Sequence, residues 1–241
     1  MVAPHLLSLQ PAPLTSWGMF SGRRRFSDSP YIESVWEGVA LHSGTHFTAA
    51  DGTIDLTIQK RQGAMRLILS GPTSRAYQTD FEAGDEVLCM RLKPGVHLAF
   101  SNSKALTDID RFLPNAGSSR FWLQSTAVAF PTFTTIETFA QHLAKLGLLK
   151  RDIVIENTLA GKGDGIHPRT IQRHSLASTG LTMNHLLQIR RAEHARSLLG
   201  SDHTLTAIAY ETGYSNPGHM TNAFKYFFGR TPSTMRRLMA N

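Results

Sequence analysis

LTAIAYETGYSNPGHMTNAFKYFFGRTPSTMRRLMAN, residues 205–241, is the stretch from which the rest of the chain is read. With a helical period, Leu205, Ile208 and Ala209 make an apolar face, and Gly213-Tyr214-Ser215-Asn216 interrupts it. Pro217 sits where a first helical turn accepts proline, because the N–H it lacks has no partner there in any helix. A second helix then turns Met220, Ala223, Phe224 and Phe227 inward and leaves His219, Thr221, Asn222, Lys225 and Arg230 to face out. Gly229 stops it, and Thr231-Pro232 opens one more short helix as cap and first residue. Helix, glycine-containing turn, and helix with a polar, basic outer face is the helix-turn-helix pattern.

Within this stretch the ordered run GYSNPGHMTNAFKYFFGRTP, residues 213–232, resembles the signature of AraC-type transcription regulators. Two positions depart from that signature: Asn222 stands where the family usually has arginine, and Gly218 where it has a polar residue. Both lie on the outward face, so they bear on base preference and phosphate contact more than on fold. The resemblance implies a DNA-binding regulator of transcription with double-stranded DNA as its partner, no cofactor and no catalytic residues. RNA polymerase, a small-molecule effector and a second copy of the chain stay open as further partners, as do the operator and the sign of regulation.

Upstream the pattern repeats. Asp152 can cap a helix carrying Ile153, Val154, Ile155 and Leu159, and the glycine-rich loop 161–165 ends it. In IHPRTIQRHSLASTGLT, Pro168 matches Pro217, Arg173 matches Asn222, Gly180 matches Gly229 and Thr182 matches Thr231, an offset of 49 residues. Such a repeat predicts two helix-turn-helix units, at about 152–180 and 204–229. The first also resembles the R-T-[IL]-Q-R motif of the AraC type. Ser175 occupies the position of Phe224, and a missing buried aromatic costs about 3–5 kcal/mol if nothing refills the space. A local shift of Leu176 is the expected refill.

Between the units, TMNHLLQIRRAEHARSLL (182–199) reads as one helix with Leu186, Ile189, Ala192, Ala195, Leu198 and Leu199 inward. At ~1.5 Å per residue it spans roughly 27 Å, against ~34 Å between successive major grooves on one DNA face. The expected base readers are Arg169, Thr170 and Arg173 in the first unit and His219, Thr221 and Asn222 in the second. Arginine pairs bidentately with guanine and asparagine with adenine, each worth about 1–3 kcal/mol of discrimination. Gln172, Arg190, Arg191, Lys225 and Arg230 are the phosphate candidates; Arg236 and Arg237 are expected to be solvated.

Charge agrees with a polyanion partner. The net charge is +7, and residues 151–241 hold 11 Lys+Arg against 6 Asp+Glu, whereas residues 1–150 hold 14 against 12. The single cysteine, Cys89, excludes a disulfide framework and reads as a buried core residue. No apolar run reaches the ~20 residues of a spanning helix, and MVAPHLLSLQPAPL lacks the basic start of a signal peptide. The expectation is a cytoplasmic protein with no membrane partner.

The fold expected is α+β in two domains. Residues 1–29 are taken as a loosely ordered lead-in containing Arg23-Arg24-Arg25. Residues 30–133 form a small antiparallel sheet or barrel, with strands at 31–36, 53–58, 66–69, 86–92 and 96–100 and Gly/Pro turns between them. Residues 134–149 are a connecting amphipathic helix with Ile136, Phe139, Leu143 and Leu146 on one face. Residues 150–241 are the all-α domain. In the β-rich part His42, His46 and Asp51 lie close in sequence as a cupin-like barrel's metal ligands would. The two histidines are not on a helix, however, and no closing carboxylate motif follows. That leaves the module to bind an effector or to serve as an interaction platform, and an enzyme is the least favoured alternative.

Overall fold

A computed structural model describes residues 19–239 of the chain. Its first half is built on a six-stranded antiparallel sheet. In spatial order the strands are β1 (Phe20–Phe26), β2 (Ile32–Ala40), β7 (Glu86–Leu92), β4 (Asp55–Arg61), β5 (Ala64–Ser70) and β9 (Asp110–Leu113), numbered along the chain. Three two-stranded pairs flank it: β3 (Gly44–Thr48) with β6 (Tyr77–Phe81), β8 (Val96–Leu98) with β12 (Leu149–Arg151), and β10 (Arg120–Leu123) with β11 (Thr126–Ala129). The sheet is open, with β1 and β9 at its edges.

Alternation decides which side is core. Leu56 and Ile58 of β4, Leu67 and Leu69 of β5, and Met90 and Leu92 of β7 share one face. They pack against Phe121 and Leu123 of β10 and against Ile136, Phe139 and Leu143 of α2 (Ile136–Lys145). The β4–β5 turn is Gln62-Gly63, with φ of 50° and 81°. Positive φ at both central residues matches the twist of a two-residue hairpin.

Two boundaries differ from those expected. The lead-in contains a strand from Phe20 onward, and its arginines are tied into the fold. Arg23 pairs with Glu37, the Arg24 guanidinium donates to Ser34 Oγ, and Arg25 pairs with Glu137 of α2. A strand with three consecutive arginines at its centre has no apolar alternation to betray it. The earlier residues of that lead-in lie outside those described. The helix expected at 134–149 runs only from Ile136 to Lys145; its apolar face packs on its own domain and closes the β core, and Leu149 pairs with Leu98. Leu146, expected inward, is exposed because the helix has already ended.

The second half is helical: α3 (Ile153–Leu159), α4 (Pro168–Thr179), α5 (Met183–Ser197), α6 (Leu205–Glu211), α7 (Pro217–Phe228) and α8 (Pro232–Met239). Leu186, Ile189, Ala192 and Ala195 of α5 meet Ile208, Ala209, Tyr214, Met220, Phe224, Phe227 and Phe228 in one core. Among the described residues no helix is long and apolar enough to cross a membrane.

The β-rich half touches both helix-turn-helix units. A four-residue helix, α1 (Ser103–Leu106), packs on α4, and Ser103 Oγ donates to the Ser178 carbonyl at 2.9 Å. At the other unit, the amides of Ala50 and Ala76 donate to the Phe227 and Tyr226 carbonyls at 2.8 and 2.9 Å. Ala50 is wholly buried within the helical core.

Candidate nucleic-acid interface

The two candidate recognition helices start and stop alike. His167 Nδ1 accepts from the Arg169 amide ahead of Pro168, and Asn216 Oδ1 accepts from the His219 amide ahead of Pro217. Each cap satisfies one of the backbone donors that a helix start leaves free. Gly180 and Gly229 end the two helices at φ of 70°, the left-handed conformation that favours glycine. Each is also pressed against the β-rich half: a Cβ on Gly180 would lie 2.4 Å from Thr107 Oγ1, and one on Gly229 2.3 Å from the Phe47 ring.

On α4, Arg169 and Arg173 are exposed, while Thr170 and Gln172 are half-buried. On α7, His219, Asn222 and Lys225 are exposed. Thr221 is half-buried and its hydroxyl donates to the Pro217 carbonyl at 2.9 Å, so it already has a partner inside its own helix. His219 packs edge-on to Tyr214, and its Nδ1 lies 3.1 Å from Ser215 Oγ. Inward, Met220, Phe224 and Phe227 are buried as their spacing predicts.

The remaining cations are divided between surface and scaffold. Arg191 lies over the Tyr214 ring at 4.5 Å and donates to the Gly213 carbonyl at 3.3 Å, bracing the turn of the second unit. Arg190 reaches the Leu159 carbonyl of α3 at 3.5 Å. Arg230 stacks on Phe47 at 5.5 Å. Arg236, expected to be solvated, donates to the Leu199 and His203 carbonyls at 3.0 and 2.7 Å and ties α8 to the end of α5.

The first unit is held by contacts that no spacing rule announces. Asp152 caps α3 by accepting from the Val154 and Ile155 amides, and the same carboxylate meets His174 Nδ1 of α4 at 2.9 Å. Ser175 is completely buried, and its hydroxyl donates to the Leu181 carbonyl at 2.7 Å. Leu176, the expected refill, is exposed, and Ser175 sits in a closed site with its hydroxyl partnered. α1 packs on the same helix at Ser178, where Ser103 bonds its carbonyl.

Of the residues weighed as metal ligands, Asp51 is engaged elsewhere: its carboxylate pairs with Arg91 at 2.7 Å.

A model of the helix-turn-helix domain family matches residues 164–238. The HTH-type transcriptional regulator GlxA of Rhizobium meliloti (strain 1021) is 32% identical over 127 residues, which is 48% of this chain and 39% of that protein. The HTH-type transcriptional activator RhaS of Pectobacterium atrosepticum is 31% identical over 96 residues, 39% of this chain and 34% of that one. The chain therefore spans between a third and two fifths of the length of these relatives. A solved structure of ToxT from Vibrio cholerae aligns over 85% of this chain and 97% of that one, at 12% identity and a TM-score of 0.42.

Proposed function

We propose, from the premise that residues 164–238 are a helix-turn-helix domain of the AraC type, that the chain is a sequence-specific DNA-binding regulator of transcription. On this reading its two recognition helices enter successive major grooves. The observation that carries it is the repetition of one frame on both helices. A side-chain cap, a first-turn proline, exposed polar residues on the opening turns and a terminal glycine recur on α4 and α7, with the rigid α5 between them.

Arg169 and Arg173 on one side, and His219 and Asn222 on the other, are the base readers; Thr170 and Thr221 are secondary, being half-buried. Lys225 is the phosphate ligand best placed in the second unit. Gln172, half-buried, is a further backbone candidate, and Arg190, Arg191 and Arg230 act there only to the extent that their internal contacts release them. The polar, basic chemistry of this face suits an anionic duplex. The function proposed for it is binding.

For the β-rich half we favour effector binding. A groove of about 670 Å³ is lined by Ile58, Met65 and Leu88 together with the ion pairs Arg23–Glu37 and Lys60–Glu86. Apolar side chains beside a few fixed charges suit a small molecule with one polar end. A ligand held there raises the thermal stability of the native chain, whereas a pure interaction platform shows no such shift.

Hydroxyl-radical footprinting of the full chain on a bound fragment tests the two-groove reading. Two protected patches one helical turn apart are expected. Arg173→Ala should remove one and Asn222→Ala the other. Loss of both patches in either variant would overturn the assignment of one helix to each groove.

A further inference from the structure

Outside the candidate DNA face, the most heavily charged buried region lies where the β-rich half meets α5. Loop 49–52 is the seat. Ala50 enters the helical core and donates its amide to Phe227, and Gly52, at φ 66°, lies so close to α5 that a Cβ would sit 2.5 Å from a Leu186 methyl. Between them stands Asp51, whose side chain is 6% exposed.

The Asp51 carboxylate accepts from the Thr53 amide at 2.9 Å and pairs with Arg91 at 2.7 Å. Asp55, paired across the sheet with Arg91 at the start of β4, holds the same guanidinium nitrogen at 3.0 Å. Two nearly dry carboxylates thus share one cation. The groups around them are Glu33 of β2, Arg24 of β1, Tyr77 of β6 and Cys89 of β7 on the sheet side, and Arg190, Glu193 and Arg196 of α5 on the helical side. Glu193 bears on Asp51 as a third negative charge.

We infer that Asp51, Asp55 and Arg91 form a proton-operated latch between the two halves. With one proton on the carboxylate pair, loop 49–52 seats firmly against α5 and α7; with both carboxylates ionised the seat loosens. The physical reason is that one guanidinium cannot compensate two anions removed from water. Burial, only partly offset by Arg91, and then the charge of Asp55 push the Asp51 carboxyl up to about 7. In the undocked loop the group is solvated and titrates near its ordinary value of ~4. The docked form therefore binds the extra proton. Docking is strongest below neutrality, weakens as pH rises through about 7, and levels off above it. Between pH 6 and 8 the docking equilibrium should fall about tenfold.

Latching itself rests on the fold alone. Its consequence, that the second recognition helix is freed from the β-rich half at higher pH, rests on the proposed function. Hydrogen exchange separates the two because it needs no DNA. In the full chain, the Ala50 and Ala76 amides, corrected for intrinsic rates, should lose about tenfold protection from pH 6 to 8. The Ile58 amide in the middle of the sheet should hold constant. Asp51→Asn should keep the seat protected at both pH values. Asp55→Asn, which leaves one carboxylate per guanidinium, should do the same if the first variant folds poorly. Protection at Ala50 and Ala76 that is independent of pH in the native chain would overturn the latch. So would the full tenfold change surviving in a folded variant.

Discussion

Replacing Ser175 by phenylalanine restores the aromatic that the second unit carries as Phe224, and the structure predicts that it destabilises the chain. Ser175 is wholly buried, its hydroxyl satisfies the Leu181 carbonyl, and α1 lies against α4 with Ser103 bonded to Ser178. A ring at a wholly buried serine must displace its neighbours. Overpacking costs about 1–3 kcal/mol, and loss of the hydroxyl bond adds about 1 kcal/mol. The expected total is roughly 2–4 kcal/mol, or about 4–16 °C in melting temperature for a domain of 150–250 residues. Ser175→Ala keeps the space but loses the bond, and should cost only about 1 kcal/mol. Urea unfolding of the full chain and both variants, followed by circular dichroism, gives the comparison. A Ser175→Phe protein as stable as the parent or more so would mean that the site around Ser175 has room for a ring.

Phe224→Ala, which empties a fully buried position of the second unit, should cost about 3–5 kcal/mol in the same assay. Gly229→Val should destabilise by strain at φ 70° and by collision with Phe47, and should raise exchange at the Ala50 amide first. Lys225→Ala should weaken binding to all sequences alike and lower the salt slope by about one, measured by fluorescence anisotropy; a sequence-dependent loss would make Lys225 a reader instead. Burial raises Asp85, but the Arg61 guanidinium and its other hydrogen bonds outweigh this and hold the carboxyl below its ordinary range. The stability it supplies is thus present above its unfolded value and lost as pH falls through its folded one. Asp85→Asn should lower stability at neutral pH and flatten the acid limb of the unfolding curve.

The helical half was readable because its signals are local. A proline at a first turn, a glycine at a stop and apolar residues at helical spacing each act within a few residues, and Pro168, Gly180, Pro217 and Gly229 stand where those rules put them. Strands with alternating apolar residues, such as β4 and β7, were legible for the same reason. What the sequence hid is non-local. β1 shows only its arginines, whose partners Glu37 and Glu137 lie 14 and 112 residues away. α4 is bonded at the Ser178 carbonyl by Ser103 of α1, 75 residues earlier in the chain, and no pattern around Ser178 announces it. Asp51 read as one of three scattered acid and histidine residues, and became a buried ion-pair member only when β7 brought Arg91 to it. Among the outward residues, spacing gave exposure correctly for Arg169, Arg173, His219, Asn222 and Lys225. It could not tell that Arg191 and Arg236 are spent on internal carbonyls.

The most direct test of the central claim is selection of bound fragments from random and genomic DNA by the purified chain at physiological salt, followed by sequencing. Two working recognition helices should enrich a two-part motif with centres about ten to eleven base pairs apart, one helical turn. Enrichment of a single half-site would contradict a working first unit, and no enrichment at either pH 6 or pH 8 would contradict sequence-specific binding by the chain alone.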